Sequence, residues 1–173
     1  MRILGIDPGT TQSGYVIYDT SSHSLHEKGK VDNEHLEIML PFLKFDEAAI
    51  EILVSYGQPV GKETFETAYF IGKVFKTMEN FGRTYHRYSR NEVCDSFGVV
   101  TGNGGKDTQL RAIIESKFGK SRKYVIGTKK FPGPLYGMVG SDMFSALALA
   151  MYHHCVRDHE GQNIYLRERF SYE

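Results

Sequence analysis

The stretch that decides the fold reads Arg2-Ile3-Leu4-Gly5-Ile6-Asp7-Pro8-Gly9-Thr10-Thr11-Gln12-Ser13-Gly14-Tyr15-Val16-Ile17-Tyr18-Asp19. An apolar run ends in a carboxylate, a Pro-Gly turn follows, and a second run leads away, which predicts a β-hairpin with Asp7 where the first strand ends. We expect Gly9 and Gly14 to supply positive φ and room for another molecule, and the hydroxyls of Thr10 and Thr11 to suit a phosphate. A polar turn that merely contains an aspartate is the alternative.

Composition is that of an ordinary globular protein. The 173 residues are 40% hydrophobic and 24% charged, enough for one domain with a buried core. We expect this domain to span residues 1–158, followed by a C-terminal tail at 159–173. The two cysteines, Cys94 and Cys155, are too few for a disulfide framework. No apolar leader or membrane-length run occurs, so the expected setting is the cytoplasm, without a membrane partner.

Charge is balanced overall but uneven along the chain. Lys and Arg number 21, as do Asp and Glu, so net charge alone does not indicate nucleic-acid binding. Basic residues concentrate from Lys117 to Lys130, where no acidic residue occurs, and again at residues 83–90. If these groups share a face with Asp7, a phosphate backbone is their natural partner. A solvated basic surface is the alternative.

A second carboxylate interrupts the most apolar run of the chain. Residues 48–54 read Ala-Ala-Ile-Glu-Ile-Leu-Val, with Glu51 as the only charge. Such a run predicts a buried central strand, where an ionised carboxylate is costly without a partner such as a metal ion. An edge strand with Glu51 facing water is the alternative. A more polar strand at residues 24–31 is expected at a sheet edge.

The remaining pattern alternates helices with a strand. Apolar spacing predicts helices at residues 33–43, 62–81, 91–97 and 106–118 and a strand at 84–88. The apolar sector of the helix at 62–81 is wide, which indicates packing against a second subunit or a thick single-domain core. A Gly-rich loop at 99–105 offers backbone amides to an anion. Residues 119–140, basic and then rich in Gly and Pro, are expected to form a mobile loop.

A third carboxylate opens the last strong element. Residues 141–154 predict an apolar helix capped by Ser141, with Asp142 in its first turn. An acid near a helix N-terminus is favourable on structural grounds alone, so Asp142 by itself indicates little. The adjacent His153 and His154 point in different directions on a helix, which argues against a metal site made by these two together.

Taken in order, the three carboxylates and the segments around them resemble the RuvC family of Holliday-junction resolvases. Four segments carry the resemblance: Ile6-Asp7-Pro8-Gly9-Thr10-Thr11 with Gly14-Tyr15, Ala49-Ile50-Glu51, Val100-Thr101-Gly102-Asn103-Gly104, and Ser145-Ala146-Leu147-Ala148-Leu149-Ala150. It extends over residues 2–155. It implies an α/β, RNase H-like fold, with a mixed five-stranded sheet flanked by helices, working as a homodimer on four-way or other branched DNA.

The same resemblance implies the chemistry. Asp7, Glu51 and Asp142 would be catalytic and would bind Mg²⁺, or Mn²⁺ as a substitute, with two ions per site and Asp7 bridging them. Paired nicks in opposed strands would resolve the junction, leave 5′-phosphates, and serve DNA recombination and repair. The candidate DNA contacts are Thr10, Thr11, Tyr56, Gly102, Gly104, Lys106, Lys120, Arg122 and Lys123, of which Tyr56 is the candidate for stacking on an unpaired base.

Three features depart from the family pattern. Ser145 stands where the family usually carries a second acid on the last helix, so one metal site would be weaker or a water would replace the carboxylate. A basic residue common before the Gly loop aligns near Cys94, and Lys106 could compensate. The net charge of zero implies weaker or more salt-sensitive DNA binding. These departures fit a divergent viral member that acts in the host cytoplasm with looser sequence preference.

Two other interpretations remain open. The segment Gly5-Ile6-Asp7 with Gly9-Thr10-Thr11 also resembles the phosphate loop of the sugar-kinase and actin-like superfamily, whose members need two such domains to clamp a nucleotide. The other interpretation is a junction-binding protein that does not cleave, with Ser145 marking a decayed metal site.

Overall fold

Five strands and six helices make up the part of the chain that the computed structural model describes, residues 1–55, 57, 59–100 and 105–158. The strands are β1 (Arg2–Asp7), β2 (Gln12–Asp19), β3 (Ser24–Asp32), β4 (Glu47–Ile52) and β5 (Thr84–Ser89). The helices are α1 (Asn33–Met39), α2 (Lys62–Asn80), α3 (Arg90–Ser96), α4 (Lys106–Phe118), α5 (Arg122–Ile126) and α6 (Gly140–Asp158). A short 3₁₀ helix, Leu40–Phe42, follows α1.

The sheet is mixed, as predicted, and its strand order is β3-β2-β1-β4-β5. The pairs β1–β2 and β2–β3 are antiparallel, and the pairs β1–β4 and β4–β5 are parallel. The polar strand β3 lies at an edge, which confirms that prediction. The alternative that placed Glu51 on an edge strand is wrong, because β4 is paired on both sides.

Two apolar layers cover the sheet. Since side chains alternate along a strand, Leu4 and Ile6 of β1 face α2, together with Ile17 and Ile50 of the neighbouring strands. Ile3 faces the opposite layer, which is built around α6. That helix is buried along most of its length, and its small residues at 146, 148 and 150 let it lie close to the sheet.

Residues 119–140 hold more structure than the predicted mobile loop. They contain α5 and an isolated antiparallel bridge between Gly127 and Pro132. Val125, Leu135 and Met138 are buried in the α6 layer. These anchors are spaced too irregularly to show a period, so sequence patterning could not find them.

The start of α3 is well capped, and the start of α6 differs from the prediction. Ser89 caps α3 through a capping box with Glu92. The α6 helix begins at Gly140, which has a φ of +70°. Ser141 therefore lies inside the first turn, and its hydroxyl donates to Asp142 Oδ1 at 3.0 Å. Within the described ranges, no helix is long and apolar enough to cross a membrane.

Candidate metal centre

Strand register brings Asp7 and Glu51 side by side. The last parallel pair between β1 and β4 is Ile6 with Ile50, so each acid follows directly after a paired residue. Alternation along the strands turns both acids to the face covered by α6. Asp142, in the first turn of α6, packs on Gly14, which is the antiparallel partner of Asp7. The three predicted acids therefore meet at one corner of the α6 face.

Two glycines allow this approach of α6. A Cβ atom at Gly5 would lie 1.8 Å from the carbonyl oxygen of Ala146, and one at Gly14 would lie 2.5 Å from the backbone of Asp142. The close approach predicted at Gly14 is thus made by α6 itself. The prediction of positive φ is wrong for Gly9 and Gly14; Gly14 lies in the regular pairing of β2, where an extended backbone is required.

The turn after Asp7 is held by a residue that sequence reasoning read only as a helix start. The side-chain amide of Asn33 donates to the carbonyl oxygens of Gly9 at 2.9 Å and Thr10 at 3.1 Å. Its Oδ1 accepts from the buried Ser13 hydroxyl at 2.6 Å. Because these contacts satisfy backbone groups of the turn, they fix the point at which β1 ends and so the position of Asp7.

The electrostatics of the corner single out Asp7. Burial, followed by the negative charge of Glu51, raises the pKa of Asp7 to about 8, although Arg90 acts in the opposite direction. Burial likewise raises the pKa of Glu51 against the influence of Arg90. Burial also works to raise the pKa of Asp142, but the hydrogen bonds from Lys30 and Ser141, with the charge of Lys30, together lower it below its ordinary value. These surroundings therefore favour the protonated form of Asp7.

Cations stand beside the two outer acids. Lys30 Nζ lies 2.5 Å from Asp142 Oδ2, and Arg90 Nη1 lies 3.3 Å from Glu51 Oε2. Arg90 also pairs with Asp107 at the start of α4. Neither cation was named as a site residue from the sequence, because each reaches its acid through strand pairing: Lys30 lies opposite Gly14, and Arg90 follows β5.

The donor set fits a hard divalent cation. Carboxylate oxygens are the ligands that Mg²⁺ and Mn²⁺ prefer, and Asp7, Glu51 and Asp142 would hold such an ion. In the described part of the chain, the group whose ligand atoms all lie within 4.8 Å of one another is a different one, Glu47, His86 and His153.

Ser145 belongs to the same corner. It is 2% exposed, and its hydroxyl donates to the Ser141 carbonyl oxygen at 3.1 Å. A hydrogen bond from this side chain also acts to lower the pKa of Asp7. The position is therefore close enough to Asp7 for an acid there to join the ligand set.

Three of the predicted DNA contacts lie near the strand ends that carry the acids. Thr10 and Thr11 follow Asp7 in the turn, and they line a groove of about 760 Å³ on the α2 side of the sheet, away from the carboxylates. Lys106, at the start of α4, donates to Asn91 Oδ1 at 2.9 Å, one residue after Arg90. Cys94 is 1% exposed and offers no charge, so Arg90 and Lys106 supply the basic groups at this end of α4.

Other predicted contacts are not brought to the carboxylates. Lys120, Arg122 and Lys123 are exposed beyond the C-terminus of α4, about 18 Å along the helix from Lys106. Arg122 Nε lies 3.6 Å from Glu115 Oε1. Tyr56, Gly102 and Gly104 lie outside the described residues, as does the predicted tail at 159–173.

Two curated relatives of this chain carry the same protein name. No protein-family model matches the chain. The crossover junction endodeoxyribonuclease RuvC of Aliarcobacter butzleri (strain RM4018) is 28% identical over 169 residues, covering 88% of this chain and 97% of the relative. The protein of that name from Campylobacter concisus (strain 13826) is 28% identical over 168 residues, covering 88% of this chain and 96% of the relative.

A solved structure supports the same fold. RuvC of T. thermophilus, in complex with a Holliday junction substrate, superimposes with a TM-score of 0.61 at 17% identity, covering 91% of this chain and 95% of that chain. At this identity the likeness concerns the fold, and it confirms the predicted RNase H-like architecture.

Proposed function

This chain is a member of the RuvC family, and on that premise we propose that it is a crossover junction endodeoxyribonuclease. It hydrolyses phosphodiester bonds in a metal-dependent reaction, resolving Holliday junctions by paired nicks that leave 5′-phosphates. Its curated relatives carry this activity in their names. The observation that carries the proposal is the convergence of Asp7, Glu51 and Asp142 at one corner of the α6 face.

The three carboxylates are assigned to two divalent ions, Mg²⁺ or its substitute Mn²⁺, with Asp7 as the shared ligand. When bound, such ions supply a Lewis acid that activates water and neutralises charge on the phosphate. Asp7 suits the shared position because it stands between two acids that have their own cations. Lys30 and Arg90 favour the ionised forms of Asp142 and Glu51, and both cations would be available to the DNA backbone when the acids bind metal.

The proposed DNA partner is a four-way junction or another branched duplex. Lys106 and the turn at Thr10 and Thr11 flank the carboxylates, where a phosphate would have to lie for hydrolysis. The separate basic group at Lys120, Arg122 and Lys123 is too far along α4 to serve the cut and is assigned to a duplex arm. The other candidates keep their predicted roles: Tyr56 in base stacking, and Gly102 and Gly104 in phosphate contacts.

A second copy of the chain is the proposed protein partner. The outer face of α2 exposes 64% of Phe65 and 72% of Tyr69, one helical turn apart. A Cβ atom at Gly72, the next position on this stripe, would meet nothing within 4 Å. Large aromatic groups beside an open glycine are suited to helix–helix contact across a twofold axis. Such a dimer presents two carboxylate sites to opposed strands of one junction.

Incubation of a synthetic four-way junction with Mg²⁺ tests the activity. Each strand is labelled in turn, and the products are separated on denaturing gels. We expect symmetric nicks by the wild-type protein. Asp7→Asn should retain junction binding and lose cutting, because the shared ligand is weakened while the backbone frame is kept.

The matched control is Asp95→Asn, an exposed acid on α3, which should cut like the wild type. If all three proteins bind the junction and none of them cuts it, the result would contradict the nuclease proposal and favour the non-cleaving junction binder. ATP binding measured by calorimetry would favour the nucleotide-binding interpretation instead.

Two buried cysteine thiols, Cys94 and Cys155, agree with the proposed cytoplasmic setting.

A further inference from the structure

A second polar cluster lies at the other end of α6, on the same face of the sheet. Glu47 opens β4, His86 lies in β5, and His153 stands 11 residues after Asp142 on α6. This separation is about 16 Å along the helix axis. One ligand atom from each of the three residues lies within 4.8 Å of the other two. Nothing in the proposed cleavage reaction uses these residues.

The three ligand atoms converge on one point. Glu47 Oε2 lies 2.8 Å from His153 Nε2 and 3.7 Å from His86 Nε2. The two imidazole rings face each other with centroids 4.3 Å apart. Around a tetrahedral ion with bonds of 2.0 to 2.1 Å, neighbouring ligand atoms are about 3.3 Å apart. The observed spacings bracket that value, so small side-chain rotations would place all three atoms on one ion.

Outer contacts hold the ligands in this orientation. The Tyr88 hydroxyl lies 2.7 Å from His153 Nδ1, the nitrogen that faces away from Glu47. Arg157 Nη1 lies 3.2 Å from Glu47 Oε1, which leaves Oε2 for the two histidines. Metal-binding histidines and carboxylates in proteins are supported in this way, through the atom that does not touch the metal.

An ion-free hydrogen-bond network accounts for only part of the cluster. His153 is 2% exposed, and Tyr88 and Glu47 satisfy both of its ring nitrogens. His86 gains much less, because its 3.7 Å approach to the same oxygen exceeds hydrogen-bond distance. The side chain of His86 is 44% exposed, so the open side of the cluster can admit an ion and a water. An ion bound by both histidines explains why His86 Nε2 points at Glu47 Oε2, which already forms a hydrogen bond with His153.

We propose that Glu47, His86 and His153 bind a zinc-class transition-metal ion, with water as a further ligand. Two imidazoles and one carboxylate favour Zn²⁺ and similar ions, whereas the all-carboxylate corner favours Mg²⁺ or Mn²⁺. The two sites on this face of the sheet therefore favour different ions because their ligands differ. Binding would join β4, β5 and α6, so the ion stabilises the elements that carry Glu51 and Asp142 without entering the reaction.

Cobalt spectroscopy on the full chain, free of any histidine tag and of metal, tests this site. Co²⁺ bound by two imidazoles in a low-coordinate site gives intense visible absorption, and it substitutes for Zn²⁺. We expect saturable absorption at one equivalent that Zn²⁺ abolishes and excess Mg²⁺ does not. His86→Gln should weaken Co²⁺ binding at least about tenfold while the protein still folds, because His86 is half-exposed on an outer strand.

Two matched variants separate this site from others. His35→Gln removes an exposed histidine elsewhere and should leave Co²⁺ binding unchanged. Zn²⁺ should also raise the Tm of the wild-type protein. Asp7→Asn should leave that rise and the Co²⁺ spectrum unchanged, because the zinc-class site does not depend on the cleavage site. Absorption that survives His86→Gln, or that disappears with Asp7→Asn, would overturn the proposal, as would the absence of Zn²⁺ stabilisation in the wild type.

Discussion

At the scale of single residues, the carboxylate corner is governed by which acid has a cation beside it. Lys30 and Arg90 serve the outer acids Asp142 and Glu51, while Asp7 is buried between negative charges. A proton on Asp7 is therefore favoured by its surroundings. Removing that proton without supplying metal leaves an uncompensated charge in the interior, which destabilises the fold.

The pH dependence of stability follows from the pKa of Asp7. An unfolded chain loses this proton around 3.8 and the folded protein around 8, so the folded state binds more protons between these values. The contribution of this proton to the free energy of unfolding is therefore fully present below pH 3.8, declines as pH rises, and is lost above about pH 8. Denaturant unfolding in the presence of a chelator, over a pH series, measures it. The stability difference between wild type and Asp7→Asn should shrink or change sign with rising pH; a constant difference would contradict this.

Ser145→Asp restores the acid that the family pattern leads one to expect. In the metal-free protein a further buried carboxylate beside Asp7 should lower the free energy of unfolding, because burial and like charge both act against it. With Mn²⁺ the same group gains a partner, and we expect about tenfold tighter binding by calorimetry. The neutral Ser145→Asn is the control. The prediction is wrong if Mn²⁺ raises the Tm of Ser145→Asp no more than it raises the Tm of the control.

Sequence patterns drew attention to Asp7 and Glu51, because Asp7 ends a strongly apolar run and Glu51 interrupts one, whereas Asp142 joined them only through the family resemblance. Lys30 could not be found in this way, since its role depends on lying opposite Gly14 in the β2–β3 pairing. Arg90 was noticed as a basic residue, but its contact with Glu51 depends on the parallel β4–β5 pairing. Charge partners across a sheet are set by register, which a single sequence does not state.

At the scale of elements, the site depends on how closely α6 lies on β1 and β2. Gly5→Ala places a Cβ atom against the Ala146 carbonyl oxygen, a backbone atom that cannot move alone. We expect a loss of about 3 kcal/mol in the free energy of unfolding, measured by denaturant titration, together with weaker metal binding as Asp142 shifts.

Gly29→Ala on the edge strand β3 is the matched control. Its Cβ atom would lie 2.9 Å from the Tyr15 ring, a side-chain group that can adjust, so the cost should be about 1 kcal/mol or less. Equal losses for the two variants would show that the α6 contact is less tight than described.

The long elements were predictable because their apolar period persists over several turns or the whole strand. The helix α5 spans five residues, too few to show any period, and it was missed. The cluster of Glu47, His86 and His153 was missed for another reason: its members come from three elements, and the expectation about His153 and His154 considered neighbours on one helix only.

At the scale of the whole molecule, the proposed dimer depends on the aromatic stripe on α2. Phe65→Asp places a charge on this stripe and should convert the dimer to a monomer in sedimentation velocity, because burying an unpaired carboxylate at the contact is costly. Each strand should still be cut, but the two nicks should become independent of each other. A junction that contains both cut sites in one molecule measures this.

Phe131→Asp, which changes an aromatic side chain that is 72% exposed elsewhere, is the matched control and should remain a dimer. A wild-type protein that sediments as a monomer, or a dimer that persists in Phe65→Asp, would place the twofold contact on another surface.

The contact between α6 and the two glycines also has an evolutionary consequence. The position of Asp142 is set by backbone meeting backbone at Gly5 and Gly14, not by the identity of the ligands. A chain can therefore carry a hydroxyl in place of an acid at position 145 and keep the frame that holds the rest. In the divergence of distant relatives, we expect these two glycines to persist longer than the fourth acid, which makes them the better markers for recognising such proteins.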